Sequence, residues 1–273
     1  MSEQAIGLFD SGIGGLSVFS ELRRQLPDEA AIYFADTKHM PYGSRTTDEL
    51  RRLVFAILDW LVEQEAKLVI MACNTSSAWT LDLARKRYTV PILGMIQPTV
   101  RALACSSQES LGIIATEATV RSGKYPAELR RAGYTGQVTS QSCPRLASLI
   151  ESGADQAELA AAVVEYLQPL KQAEVKRLVL ACTHYPFASE QVAAYLGGRV
   201  ELINPAEHVV AAAKQLLVSQ GLLSSSGGKP EYHFYTSGSV QQFERRAALL
   251  LGESVSARPA RFVCEGESLR VEA

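Results

Sequence analysis

Leu68-Val69-Ile70-Met71-Ala72-Cys73-Asn74-Thr75 and Leu178-Val179-Leu180-Ala181-Cys182-Thr183-His184 are near copies of each other. Each is an unbroken apolar run that stops at Ala-Cys and passes into small polar residues. Runs that are apolar without alternation are strands buried on both faces, which is the signature of a parallel sheet covered by helices. Outward from these two segments the same rhythm repeats. Strands are expected at Ala5–Phe9, Ala31–Ala35, Leu68–Ala72 and Ile92–Met95, then again at Leu111–Ala115, Val138–Ser140, Val175–Ala181 and Val200–Ile203. Helical spacing lies between them, as in Leu50, Leu53, Val54, Ile57 and Leu61. The expected fold class is therefore α/β, with two similar doubly wound parallel-sheet domains related by pseudo-two-fold symmetry and a site between them.

The repeat has a register. Ile6-Gly7-Leu8-Phe9-Asp10-Ser11 aligns with Leu111-Gly112-Ile113-Ile114-Ala115-Thr116 at an offset of 111 − 6 = 105, and Cys73 with Cys182 at 182 − 73 = 109. The break between halves is expected near Pro98 and the return near Pro205, giving residues 1–97 with 208–273 as one domain and 98–207 as the other. Tyr232–Tyr235 is expected to rejoin the first half, and Ser224–Gly228 reads as a surface loop.

Composition narrows the function. The chain has 273 residues, 47% hydrophobic, with a formal net charge of −2. That balance argues against a general nucleic-acid or anionic-membrane binder. No apolar run reaches the length of a membrane span. Met1-Ser2-Glu3-Gln4 lacks the basic start and apolar block of a signal peptide, and no extension is expected ahead of Asp10. Five cysteines do not form a disulfide framework. The reading is a cytoplasmic enzyme with reduced thiols.

Cys73 and Cys182 are candidate acid/base groups because they occupy matching strand ends, where parallel sheets bind ligands. A lone cysteine is more often a small core hydrophobe, and Cys105, Cys143 and Cys264 are read as structural. A zinc site using Cys73, Cys182 and His184, or a cysteine hydrolase, are the other readings. Asp10-Ser11-Gly12-Ile13-Gly14-Gly15 follows a strand and opens a helix, as an anion-binding turn does. Its glycine spacing misses the dinucleotide fingerprint, so a small carboxylate ligand fits better than a nucleotide. Pro41-Tyr42-Gly43-Ser44-Arg45 is a turn by composition, and Asn74-Thr75 and Thr183-His184 are helix caps or ligand contacts.

Together these stretches resemble the aspartate/glutamate racemase family. The matching residues are Asp10–Leu16, Asp36-Thr37, Pro41-Tyr42-Gly43, Ala72–Thr75, Thr119-Val120, Cys182–Pro186 and Thr236-Ser237-Gly238. The resemblance implies a cofactor-independent racemase interconverting L- and D-glutamate, supplying D-glutamate for peptidoglycan. It also implies a homodimer without metal, nucleic acid or membrane partner. By resemblance, Cys73 handles the α-proton of the D-enantiomer and Cys182 that of the L-enantiomer, with Asp10, Glu151 and His184 assisting. Ser11, Pro41, Tyr42, Gly43, Ser44, Asn74, Thr75, Thr116, Thr119 and Thr183 would contact substrate, with Asp10 and His184. Departures are Gln97, where the family typically carries Glu, Ala35, where Gly is common, and an unusually polar middle to Cys143–Glu151. Racemisation needs a group on each face of the inverted carbon, and a thiol titrating near ~8.5 is within reach of neutral pH. An aspartate racemase on the same scaffold, or a non-catalytic regulatory protein, are the alternatives.

Overall fold

The computed structural model describes residues 4–104, 108–224, 229–266 and 268–273. Cys105 and most of the Ser224–Gly228 loop lie outside the described residues. The strands in chain order are β1 (Ile6–Asp10), β2 (Ala31–Ala35), β3 (Leu68–Met71), β4 (Ile92–Gly94), β5 (Leu111–Ala115), β6 (Val138–Ser142), β7 (Arg177–Ala181), β8 (Glu201–Ile203), β9 (Tyr232–Thr236), β10 (Ala257–Pro259), β11 (Arg261–Glu265) and β12 (Ser268–Glu272). They form a six-stranded sheet, β10-β9-β2-β1-β3-β4, and a four-stranded sheet, β6-β5-β7-β8. Every pairing in both sheets is parallel.

Both sheets are buried on two faces, and strand alternation divides each run between them. Ile6, Leu8, Leu68 and Ile70 point to one face of the first sheet, against the helices Leu16–Gln25, Pro205–Gln220 and Val240–Leu251. Phe9, Val69 and Met71 point to the other, against the helix Thr47–Glu63. That helix starts where the sequence places a capping box, with Thr46 and Glu49 satisfying each other's backbone N–H. In the second sheet, Leu178 and Leu180 face the helix Gln156–Gln172, while Ile113 and Val179 face Ile96–Ala104 and Lys124–Arg131.

The two sheets share the order β2-β1-β3-β4 and β6-β5-β7-β8. Ile6 pairs with Leu68, and Leu111 with Arg177. The equivalences are therefore 111 − 6 = 105 and 177 − 68 = 109, the same offsets the sequence shows. Asp10 thus has Ala115 as its counterpart. After the second sheet the chain comes back to the first, where β9 pairs with β2 in the register Ala31↔Tyr232.

The sequence pattern does not mark β10 or the antiparallel hairpin β11–β12. Arg261, Glu265, Arg270 and Glu272 break up the apolar signal there. Among the described residues of this segment, Val271 and Ala260 are the deeply buried ones, packed against the first-sheet face under Thr47–Glu63. Cys143 is fully buried, as a structural cysteine should be, whereas Cys264 is exposed on β11. Among the described residues, no helix is long and apolar enough to cross a membrane.

Candidate active site

Strands β3 and β7 each lead through an alanine into a cysteine at the carboxyl end of their sheet, the edge where parallel sheets present loops to ligands. The two edges face each other across one cavity. Both sulfurs line it, Cys73 beside Asn74 and Thr75, and Cys182 beside Thr183 and His184. Ser11, Pro41, Tyr42, Gly43 and Thr116 complete the predicted wall, joined by Met40, Ala147 and Ala181, which carried no chemical signal in the sequence. Ser44 is exposed and donates its hydroxyl to the Pro41 carbonyl at 3.2 Å, off the cavity wall. Thr119 lies behind the wall, bonded to Thr75 and Thr116 at 3.2 and 3.0 Å. With the Thr75–Thr116 bond of 2.9 Å, the three hydroxyls stitch the halves together on the Cys73 side.

The environments of the thiols differ. Cys73 caps the helix Asn74–Arg87, and its sulfur lies 4.0 Å from the Ser11 hydroxyl. Burial, with the Asp10 carboxylate nearby, pushes this thiol up to about 12. Cys182 Sγ lies 3.7 Å from His184 Nδ1, and His184 Nε2 lies 2.5 Å from Glu151 Oε2. Burial opposes a charged imidazole, but the bonds to Cys182 and Glu151 outweigh it and hold His184 well above its ordinary value. One thiol is thus held as a neutral donor, and the other sits beside an imidazolium.

Asp10 is fully buried. Burial raises its carboxyl above the usual range, against the pull of His184 and of the backbone N–H groups. Its Oδ2 accepts from Gly12 and Gly15 N–H at 3.1 Å each, and its Oδ1 from the Thr183 hydroxyl at 3.2 Å. Among the described residues it makes no hydrogen bond to Cys73, so it acts on that thiol through charge alone.

The glycine turn departs from the sequence reading. Three of its N–H groups are taken by protein carboxylates rather than left for a ligand: Asp10 holds Gly12 and Gly15, and Glu151 accepts from Ile13 N–H at 3.2 Å. A methyl group at Gly14 would lie 2.4 Å from His184 Nδ1, and one at Gly12 would lie 2.8 Å from Glu151 Oε2. These glycines admit side chains from the other half. They leave no room there for a phosphate, which removes the nucleotide reading on steric grounds.

The remaining motifs support the Pro41–Ser44 turn. The Tyr42 hydroxyl donates to Asp36 Oδ2 at 2.6 Å, and the Ser237 hydroxyl to Asp36 Oδ1 at 2.6 Å. Thr37 and Thr236 bond at 2.8 Å. Neither Ala35 nor Gln97 lines the cavity; Gln97 accepts from exposed Arg85 at 2.7 Å. Among the described residues, no group of three or more His, Cys, Asp or Glu side chains is arranged to hold a metal ion.

Residues 6–213 match the family model described as Asp/Glu/Hydantoin racemase. The chain belongs to this family. Among members of the racemase family, it is 40% identical over 260 residues to glutamate racemase of Desulforudis audaxviator, covering 92% of this chain and 95% of that one. It is 41% identical over 248 residues to glutamate racemase of Trichormus variabilis, covering 90% and 84%. The crystal structure of a glutamate racemase isoform from Bacillus anthracis matches with a TM-score of 0.90 at 33% identity, over 95% of this chain and 98% of that one. That of the Francisella tularensis glutamate racemase in complex with D-glutamate matches at 0.87 and 30%, over 95% and 98%.

Proposed function

We propose that this chain interconverts L- and D-glutamate by proton transfer between two thiols, without a cofactor. The observation that carries the reading is the pair Cys73 and Cys182, brought from equivalent strand ends to one cavity. From L-glutamate, the Cys182 thiolate takes the α-proton and becomes a thiol. The Cys73 thiol then donates its proton to the opposite face of the carbanion and becomes a thiolate. The product is D-glutamate, and proton exchange with water resets the pair. From D-glutamate the same steps run in reverse. The unequal thiol environments suit this: a neutral Cys73 is the donor for D-product, and the His184 ring lies 3.7 Å from the Cys182 sulfur that takes the α-proton.

Carbanion formation needs stabilisation of a developing negative charge. N–H groups at the start of the helix Asn74–Arg87 and the hydroxyls of Thr75 and Thr183 supply donors at the cavity. Glu151 and Asp10 work behind the wall, Glu151 by holding His184 and Asp10 by setting the field at Cys73. In this reading the catalytic lobes are residues 1–97 with 208–273, and 98–207. The protein works in the cytoplasm as a homodimer supplying D-glutamate for peptidoglycan. The relatives' names and the Francisella complex with D-glutamate support glutamate as substrate.

The deciding experiment is a circular-dichroism assay with L-Glu, D-Glu, L-Asp and D-Asp and no added cofactor. Loss of optical activity is expected with both glutamate enantiomers, with deuterium at the product's α-carbon in D2O. Turnover of aspartate alone would move the reading to an aspartate racemase, and product without label would remove the two-thiol mechanism.

A further inference from the structure

Asn74 is the first residue of the helix Asn74–Arg87, is 3% exposed and lines the cavity. The two ends of its side-chain amide are treated differently. Oδ1 accepts from the Tyr125 hydroxyl at 2.8 Å, while the buried Nδ2 has no partner. A buried donor left unpaired is costly, because it has given up water and received nothing in return. Here it borders the cavity that both thiols line.

We propose that Tyr125 is a positioning residue that fixes the Asn74 amide with its NH2 toward the cavity, where it donates to a carboxylate oxygen of the substrate. The proposal rests on reading the cavity as the glutamate site. Tyr125 is 2% exposed and packs among Leu111, Ile113 and Val179 of the second sheet, so its ring cannot swing away. Burial raises its hydroxyl far above the ordinary range, so it stays a protonated phenol. With the Tyr125 hydroxyl donating to Oδ1, the NH2 is the end left without a partner at the cavity. The opposite orientation would aim Oδ1 at the incoming carboxylate and repel it. The N–H groups of the same 14-residue helix start favour an anion at this spot as well. A residue of the second half thereby sets a substrate contact borne by the first, and the contact forms only when the two halves are together.

The test uses the full chain, with glutarate as the binding probe, because it keeps both carboxylates and lacks the amino group. Tyr125→Phe removes only the hydroxyl. It is expected to raise the glutamate KM and the glutarate Kd by the same factor, roughly five- to twentyfold, with a smaller effect on kcat. Asn74→Asp, which presents only acceptors, is expected to weaken glutarate more than Asn74→Ala does. Wild-type glutarate affinity in Tyr125→Phe, with only the melting temperature lowered, would reduce Tyr125 to a packing residue and overturn the proposal. Failure of the wild type to bind glutarate, or undiminished binding by Asn74→Asp, would overturn it too. If wild type does not racemise glutamate but Tyr125→Phe still loses glutarate affinity, the carboxylate contact stands and the substrate reading falls.

Discussion

Gly14→Ala tests whether the glycine turn exists to seat His184. The added methyl would lie 2.4 Å from His184 Nδ1 and 2.6 Å from both His184 Cε1 and Thr183 Oγ1. Ordinary contact begins at 3.4 Å, so the imidazole must retreat by about 3.4 − 2.4 = 1.0 Å. It has nowhere to go, being 2% exposed and pinned to Glu151 at 2.5 Å. Either the Nδ1 contact with Cys182 breaks or the two halves part. Overpacking of this kind costs about 1–3 kcal/mol of stability. A displacement of about 1 Å in the machinery costs roughly a hundredfold in rate, or about 2.7 kcal/mol. The assay is racemisation from each enantiomer, with melting temperature as the control. Enantiomers have equal free energy, so kcat/KM must fall equally in both directions. The damage to one side shows instead in α-proton exchange with D2O: washout from L-glutamate, begun by Cys182, should suffer more than washout from D-glutamate. A folded variant with wild-type kcat/KM and unchanged washout from L-glutamate would refute the argument.

Other perturbations follow from the same geometry. Cys73→Ala and Cys182→Ala are each expected to lower racemisation by at least about a hundredfold, measured by circular dichroism, since each removes a positioned acid/base group. Asp10→Asn keeps the shape and removes a buried charge. Because the Asp10 carboxyl is raised above its unfolded value of 3.8, ionising it in the fold costs stability at neutral pH, and that cost vanishes as pH falls below 3.8. The variant should therefore melt above wild type at pH 7, lose that advantage toward pH 4, and be less active throughout. Glu151→Gln removes a support of the His184 imidazolium, so the alkaline limb of the kcat profile should move to lower pH. The stability that His184 contributes is full below its unfolded value of 6.5 and is lost as pH rises through its raised folded value. That loss should also begin at lower pH in Glu151→Gln, seen in melting temperature against pH.

Much of the scaffold was readable in one dimension. Apolar runs such as Ile6–Phe9 and Leu68–Met71 announce doubly covered strands, and their pairing repeats the offsets that the bare sequence shows. The apolar pattern marks β6 only as far as Ser140 because Val138–Ser142 is a half-buried edge of mostly polar residues. The terminal hairpin escaped because its charged residues mask the burial of Val271. Both cysteines and most of the other residues lining the cavity stand in motifs visible in the sequence. Tyr125 does not, because its hydroxyl meets an amide 51 residues away in the chain. Nothing in Lys124–Arg131 marks that ring as different from a core aromatic.

The sequence by itself determined the repeat, the parallel sheets and the placing of a thiol at each equivalent strand end. These depend on local apolar periodicity and on residue identity, which a chain carries wherever it folds. The tertiary structure alone decided how the equivalent thiols come to differ. Cys73 lies buried under the influence of Asp10, and Cys182 beside a histidine held by Glu151. It also decided that the glycine turn opening the first half receives side chains of the second instead of a ligand. Charge and steric fit act through space, and the distances that govern them exist only once the halves meet.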